Sequence, residues 1–118
     1  MSEKKYWWRD IPEIGCYEFC YDEDGNYDFT IEEVAVHYTY GWTEEKRQKQ
    51  FKGAKFIFGG CSNGRSYHRT LEAETVEDAK KEFEAWYAQY LLSWIESLGK
   101  SIVTVTEDYE QLLNYMRK

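Results

Sequence analysis

The sequence predicts a single α+β domain, in which a mainly antiparallel sheet of four to five strands packs on one long helix and a short C-terminal helix follows. Residues 14–73 contain alternating aromatic and β-branched side chains, separated by turns that contain Gly and Asn. Residues 75–98 then change to apolar spacings of three and four, which are typical of a helix. A length of 118 residues suits one domain with its own core, and the predicted order is β-β-β-β-α-β-α.

The first two predicted strands flank an acidic turn. In residues 14–22, "IGCYEFCYD", the alternation separates two faces, with Tyr17, Phe19 and Tyr21 on one and Cys16, Glu18 and Cys20 on the other. The next residues, "DEDGN", tolerate positive φ, so we expect a hairpin turn around Gly25 and Asn26. Residues 1–13 are expected to be an N-terminal segment outside this meander.

Residues 27–40 are predicted to form the second strand, with a bulge or break where the apolar parity switches near Glu32 and Glu33. The alternative is a helix, because "TIEE" matches a capping box with Thr30 as N-cap, but the many Val, Tyr and Thr residues favour a strand. Residues 41–53 are expected to be an exposed loop. Two strands follow, in residues 54–60 and 65–74, joined by "GGCSNG" and with Phe56 and Phe58 directed to the core.

The long helix is predicted over residues 75–98, with Thr75 as N-cap and Gly99 as its C-terminal stop. Its apolar stripe comprises Val76, Ala79, Phe83, Trp86, Tyr90, Trp94 and Leu98. A short strand is predicted at residues 101–105, "SIVTV". A final helix over residues 106–117 is expected to start at Thr106 and to bury Tyr109, Leu112, Leu113 and Met116.

Composition limits the compartment and the class of protein. The longest apolar run is far shorter than the roughly 18 residues of a membrane-spanning helix, and the start "MSEKKYWWRD" lacks the apolar segment of a signal peptide. Three cysteines leave at least one thiol unpaired, which fits a reducing compartment. We therefore expect a folded cytoplasmic protein that needs no disulfide.

Charge is distributed in three blocks. Residues 1–40 carry 10 acidic and 3 basic side chains, residues 41–70 carry 2 and 7, and residues 71–118 carry 10 and 5. The net charge of −7 therefore combines two acidic regions with a basic central one. Such asymmetry bears on partners and on electrostatic steering.

The acidic cluster around the first hairpin carries the leading functional hypothesis. Closely spaced carboxylates beside aromatic anchors would suit a basic surface of a nucleic-acid-handling protein. The expected function is a non-catalytic binding protein that mimics nucleic acid, comparable in type to the small acidic inhibitors made by phages and mobile elements, including anti-CRISPR-like proteins. A solubilising acidic face is the plainer alternative. The predicted partner-binding residues are Tyr21, Asp22, Glu23, Asp24, Tyr27, Asp28, Glu32 and Glu33.

Direct binding of nucleic acid is the second hypothesis. The basic side chains of the central block, interleaved with aromatics, would contact phosphates while the rings stack on bases. Balancing the neighbouring acidic blocks, or guarding an edge strand, would also explain them. These residues are Lys46, Arg47, Lys49, Lys52, Lys55, Arg65 and Arg69.

A small metal-independent nuclease is a third possibility, with His37 and His68 as acid and base and Lys55 or Arg65 stabilising the transition state. No catalytic motif supports it, so we do not expect an enzyme. A metal site built from these histidines and the three cysteines is not expected, because Cys16 and Cys20 would lie roughly 13 Å apart along a strand.

No motif predicts a cofactor. "DEDGNYD" lacks the closing glutamate of a calcium loop, and "FGGCSNG" lacks the lysine of a phosphate-binding loop. Exposed aromatics at Trp7, Trp8 and Tyr87 would provide an interface with a partner or a second copy of the chain.

Overall fold

A computed structural model describes residues 5–37, 51, 53–62, 64–98 and 103–117. Within these residues, one sheet contains the strands β1 (Trp7–Ile11), β2 (Cys16–Cys20), β3 (Tyr27–Glu33), β4 (Phe56–Ser62) and β5 (Arg65–Leu71). The helices are the four-residue α1 (Val34–His37), the long α2 (Val76–Leu98) and α3 (Val103–Met116). The predicted α+β class is confirmed: a five-stranded antiparallel sheet, a long helix and a short C-terminal helix form one domain.

The strands pair in chain order, each antiparallel to the next, so the predicted four-stranded meander is confirmed as β2 to β5. The fifth strand was predicted in the wrong place. It is β1, from the N-terminal segment, and it pairs with β2 so that Trp8 lies opposite Phe19. The tight turn Pro12–Ile14 makes this pairing possible, since Gly15 at φ 60° returns the chain directly into β2.

The strand predicted at residues 101–105 is contradicted at 103–105, which begin α3, while residues 101 and 102 lie outside the described part. Strand preference depends on pairing with a neighbouring strand and on burial of one face, and an isolated segment shows neither. Here the helix is favoured because Leu112 is fully buried and Tyr109 and Tyr115 pack against the core. Thr106, predicted as the N-cap, lies within this helix.

The parity switch in the second predicted strand marks its end. β3 stops at Glu33, whose amide donates to the Gly15 carbonyl, and α1 follows. The prediction of strand for residues 34–37 is therefore wrong, because Val34 turns into a helical conformation and its amide donates to the Lys55 carbonyl. Thr30 lies in β3 and begins no helix. Residues 38–50 and 52 lie outside the described part, so the loop predicted there stays a prediction.

The long helix agrees with its sequence pattern. The Thr75 hydroxyl accepts a 3.2 Å hydrogen bond from the Asp78 amide, as expected of an N-cap. Asp78 and Glu77 then lie in the first turn, where the helix dipole favours negative charge. The stripe is wider than predicted, because Tyr87 is buried with it.

Aromatic side chains fill the space between the sheet and α2. Phe29, Phe58 and Phe83 are almost fully buried, and the Phe58 and Phe83 ring centroids lie 5.1 Å apart with the ring planes at 68°. Burial of Phe56 and Phe58 was predicted and is confirmed. Truncating a buried Phe to Ala typically costs about 3–5 kcal/mol, so these rings hold the helix on the sheet. No helix in the described part of the chain combines the length and apolarity needed to cross a membrane.

Candidate partner-binding surface

The acidic turn between β2 and β3 is held together by Asp22. Its carboxylate accepts hydrogen bonds from the Asn26 amide at 2.9 Å and from the Asn26 side chain at 2.7 Å. These bonds stabilise the ionised form, so they lower the pKa of Asp22. Gly25 completes the turn with φ 83°, a conformation that other residues adopt at a cost. The predicted turn around Gly25 and Asn26 is confirmed.

Three further acids project at this hairpin. Glu23 and Asp24 are exposed in the turn, and an exposed ion pair of 3.1 Å joins Glu23 to Lys5. Asp28 is an exposed bulge residue, since the register shift sets Phe29 opposite Phe19 while Tyr27 lies opposite Cys20. The bulge therefore adds a carboxylate to the hairpin surface.

Glu32 and Glu33 were predicted as part of the same site but lie away from it. They end β3, roughly 17–20 Å along the strand from Tyr27. Both are half-buried, and the Tyr17 hydroxyl donates a 3.0 Å hydrogen bond to the Glu33 carboxylate. Tyr21 is also half-buried and packs against the core. All three side chains are therefore partly buried in the fold, unlike the exposed acids of the hairpin turn.

Two exposed rings flank an arginine at the hairpin end of the sheet. Trp7 is 36% exposed and Tyr27 is 44% exposed, and each lies directly opposite Cys20 in its strand pairing. The guanidinium carbon of Arg9 lies 5.7 Å from the Trp7 ring and 5.9 Å from the Tyr27 ring. We call Trp7, Arg9 and Tyr27 the aromatic clamp.

Hydrogen bonds fix this clamp. Arg9 Nε donates at 2.5 Å to Glu18, and its terminal nitrogen donates at 2.9 Å to the Gly25 carbonyl. The Trp7 indole donates at 2.8 Å to the Asp22 carbonyl, so both long side chains are tied to the turn. Few rotamers remain to be ordered when a partner binds.

The clamp adds no positive charge to the surface. The buried Glu18 carboxylate neutralises Arg9, and its hydrogen bond raises the pKa of the guanidinium. Hydrogen bonding to the same carboxylate raises the pKa of Tyr27, which stays a neutral phenol. The net negative charge of the hairpin therefore comes from its exposed carboxylates, of which Glu23 is paired with Lys5.

Two acids act on the buried tyrosines behind the hairpin. Burial raises the pKa of both Tyr6 and Tyr87, and the charges of Asp28 and Asp108 act in the same direction on each. Trp7 was expected to be exposed, but its pairing with Arg9 depends on β1, which the sequence did not predict.

The predicted aromatic interface is only partly present. Tyr87 is 6% exposed and belongs to the core, where it stacks on Phe83. Trp8 is half-buried between Phe19 and Phe83. Of these three aromatics only Trp7 is exposed, so the expectation that Trp8 and Tyr87 are exposed is wrong.

Three of the seven basic residues predicted to bind nucleic acid lie in the described part of the chain. Lys55 forms a 2.7 Å ion pair with Glu74, as the charge-balance alternative predicted. Arg65 and Arg69 are exposed on β5, in the same alternation as Tyr67. Lys46, Arg47, Lys49 and Lys52 lie outside the described part.

The candidate catalytic and metal residues are not brought together by the described structure. His68 is exposed on β5, and the side chain of His37 is not among those described. Cys16 and Cys20 are buried at opposite ends of β2, while Cys61 is exposed near the Ser66 hydroxyl. Within the described ranges, no group of three or more His, Cys, Asp or Glu side chains has metal-binding geometry.

In comparisons with known proteins, no family model matches this chain, and neither a curated protein nor a solved structure shows significant similarity to it.

Proposed function

We propose that this chain is a non-catalytic binding protein that uses the hairpin end of its sheet to occupy a basic site on another protein. One observation carries the proposal. The aromatic clamp, with Arg9 neutralised by Glu18, lies at the end of the sheet where the hairpin exposes the carboxylates of Glu23, Asp24 and Asp28.

The composition of the clamp supports a protein partner. Trp, Tyr and Arg are the residues most enriched in interface hot spots, which lie at the centre of a contact with a polar rim around them. Trp7 and Tyr27 offer large rings, and hydrogen bonds to the turn fix Trp7 and Arg9 before binding. The acids would provide the rim.

The charge of the rim supports a basic partner. Complementary charge accelerates encounter and rejects acidic competitors. Basic grooves shaped for phosphates occur on proteins that handle nucleic acid, so a carboxylate surface would compete with their natural ligand. Inhibition of such a protein, as by a nucleic-acid mimic of phage or mobile-element type, is the activity we propose.

We propose the cytoplasm as the compartment in which this protein acts. All three cysteines are unpaired thiols, including the exposed Cys61. Thiols persist where glutathione and thioredoxin keep the medium reducing.

The experiment has two stages. Tagged protein is used to capture its partner by cross-linking in cells, and the identified partner is then purified for calorimetric titration. We expect D24K/D28K to weaken binding more than about tenfold and Trp7→Ala to weaken it about thirtyfold, the loss typical of a hot spot. Addition of the chain should also displace nucleic acid from the partner.

The matched control is E96K/E110K, which makes the same change of net charge at exposed positions on α2 and α3. We expect it to bind within about twofold of wild type, since screened charges distant from a contact act weakly. Equal losses in the two double variants would show a general charge effect. Full binding by D24K/D28K would remove the hairpin from the interaction.

A further inference from the structure

A second surface lies on the helix side of the edge strand β5. Arg65, Tyr67 and Arg69 alternate along this strand, and Tyr67 and Arg69 lie opposite Gly60 and Phe58 in the pairing with β4. Tyr67 contacts rings of α2, so this alternation faces the helix. Arg65 and Arg69 therefore lie on the same side of the strand as those rings, roughly 13 Å apart.

Four aromatic rings form a continuous strip beside these arginines. Trp86 and Tyr90 stack with centroids 5.2 Å apart and planes at 11°. The Tyr67 ring lies 5.1 Å from Tyr90, and Trp94 continues the strip 6.3 Å beyond it. All four side chains are half-buried, so each combines an anchored body with an accessible part.

The arginines complete the surface. The Arg69 guanidinium carbon lies 6.0 Å from the centre of the Trp86 ring, and neither Arg65 nor Arg69 forms an ion pair with a described carboxylate. Hydrogen bonding to Tyr90 raises the pKa of Tyr67, whereas the charges of both arginines act in the opposite direction.

We propose that this strip, comprising Arg65, Tyr67, Arg69, Trp86, Tyr90 and Trp94, binds single-stranded nucleic acid. Such binding combines cationic groups that follow the backbone with aromatic side chains on which bases stack. A duplex keeps its base faces within its own stack, so it would engage the arginines alone. An acidic peptide would likewise pair with the arginines but make little use of four adjacent rings.

This surface is separate from the aromatic clamp and does not depend on the proposed protein partner. The basic block 46–69 was the sequence's candidate for nucleic acid, and the strip retains Arg65, Tyr67 and Arg69 from it. The other three rings come from α2, where Trp86, Tyr90 and Trp94 were predicted as part of the apolar stripe.

The test is fluorescence anisotropy with a labelled oligothymidine and an oligouridine of about 15 nucleotides, at about 50 and about 150 mM salt. We expect R65E/R69E to weaken binding more than tenfold. A salt slope of about −0.7 per phosphate contact on single strands predicts that losing two contacts reduces it by about 1.4. Trp94→Ala should weaken binding at least fivefold by removing one stacking ring.

Matched controls separate specific binding at the strip from general charge effects. K81E/R117E makes the same charge change at exposed positions, and Trp7→Ala removes an exposed ring from the other surface. Both should bind the oligonucleotides as wild type does. Circular dichroism checks folding, and R65Q/R69Q replaces the charge-reversal variant if that one unfolds.

Three results would overturn the proposal. These are no binding at the lower salt concentration, equal affinity for a duplex of the same length, and tighter binding of a glutamate-rich peptide. Failure here is distinguishable from failure of the hairpin proposal, because D24K/D28K should retain oligonucleotide binding and R65E/R69E should retain partner capture.

Discussion

The indole of Trp8 donates a 2.8 Å hydrogen bond to the carboxylate of Glu84, which lies 76 residues further along the chain. The same carboxylate oxygen accepts a 3.0 Å bond from the Tyr115 hydroxyl. Glu84 thus connects β1, α2 and α3, the elements at the start, middle and end of the domain. Trp7 and Arg9 of the aromatic clamp lie on either side of Trp8 in β1.

Glu84→Ala is expected to lower the free energy of unfolding by about 2–3 kcal/mol, because two hydrogen bonds to a charged group are lost and their donors stay half-buried. Urea denaturation measures the change. Glu96→Ala, at an exposed position of the same helix, should change it by less than about 0.5 kcal/mol. Equal effects of the two substitutions would contradict the joint.

Gly60→Ala tests how closely β4 approaches the bulge of the hairpin. A Cβ at Gly60 would collide with the Asp28 carbonyl oxygen and would lie 2.8 Å from the Phe29 Cα, and neither backbone atom can move alone. We expect a loss of at least about 2 kcal/mol, as for overpacked sites. At Gly59 the nearest atom is the His68 Nδ1, at the end of an exposed side chain, so Gly59→Ala should cost less than about 1 kcal/mol. Thermal unfolding of both variants measures the difference, and equal losses would refute the close approach.

Stability should decline in alkali because buried phenols resist ionisation. Burial is the largest cause that raises the pKa of Tyr6, Tyr17, Tyr87 and Tyr115 in the folded protein, and the pKa of Tyr17 rises to about 12. A phenol whose pKa is higher in the folded than in the unfolded protein contributes stability below the unfolded pKa of about 10. This stability is lost as the pH rises through the folded pKa. Absorbance at the phenolate band against pH should show a late-titrating group. Tyr17→Phe should flatten the decline between pH 10 and about 12, whereas an unchanged profile would contradict the assignment.

The turn that presents the acidic rim should weaken in acid. Hydrogen bonds from Asn26 lower the pKa of Asp22 below its ordinary 3.8, so its contribution is complete above that value and is lost as pH falls through the folded pKa. Urea midpoints between about pH 2 and pH 6 measure this. Asp22→Asn should lower the midpoint at neutral pH and remove part of its acid dependence. Asp24→Asn, the charge-matched control, should retain that dependence.

The periodic features of this protein were predictable from sequence. Alternation placed Tyr17 and Phe19 on the same face of β2, where both join the core, and the spacing of threes and fours predicted α2 and its Thr75 cap. These features depend on residues close in sequence. The acidic turn was predictable for the same reason, because Gly25 and Asn26 are residue types that favour turn conformations.

The pairing of distant segments was not predictable. The "SIVTV" segment has strand-forming residues, but β1 pairs with β2 and residues 103–105 join α3. Likewise, the sequence around Arg9 does not indicate that Glu18 neutralises its charge or that the rings of Trp7 and Tyr27 flank it. Glu32 and Glu33 lie away from the acidic hairpin because they are at the far end of the seven-residue strand β3.

The sequence by itself determined the fold class, the acidic hairpin and the long aromatic helix, since each is a repeating or local pattern of side chains that backbone geometry converts directly into structure. Only the tertiary structure decided which aromatics are exposed and which charges are neutralised. Exposure and ion pairing depend on segments that meet across the sheet, such as Trp8 with Glu84 and Arg9 with Glu18, and their energies arise only when packing excludes water.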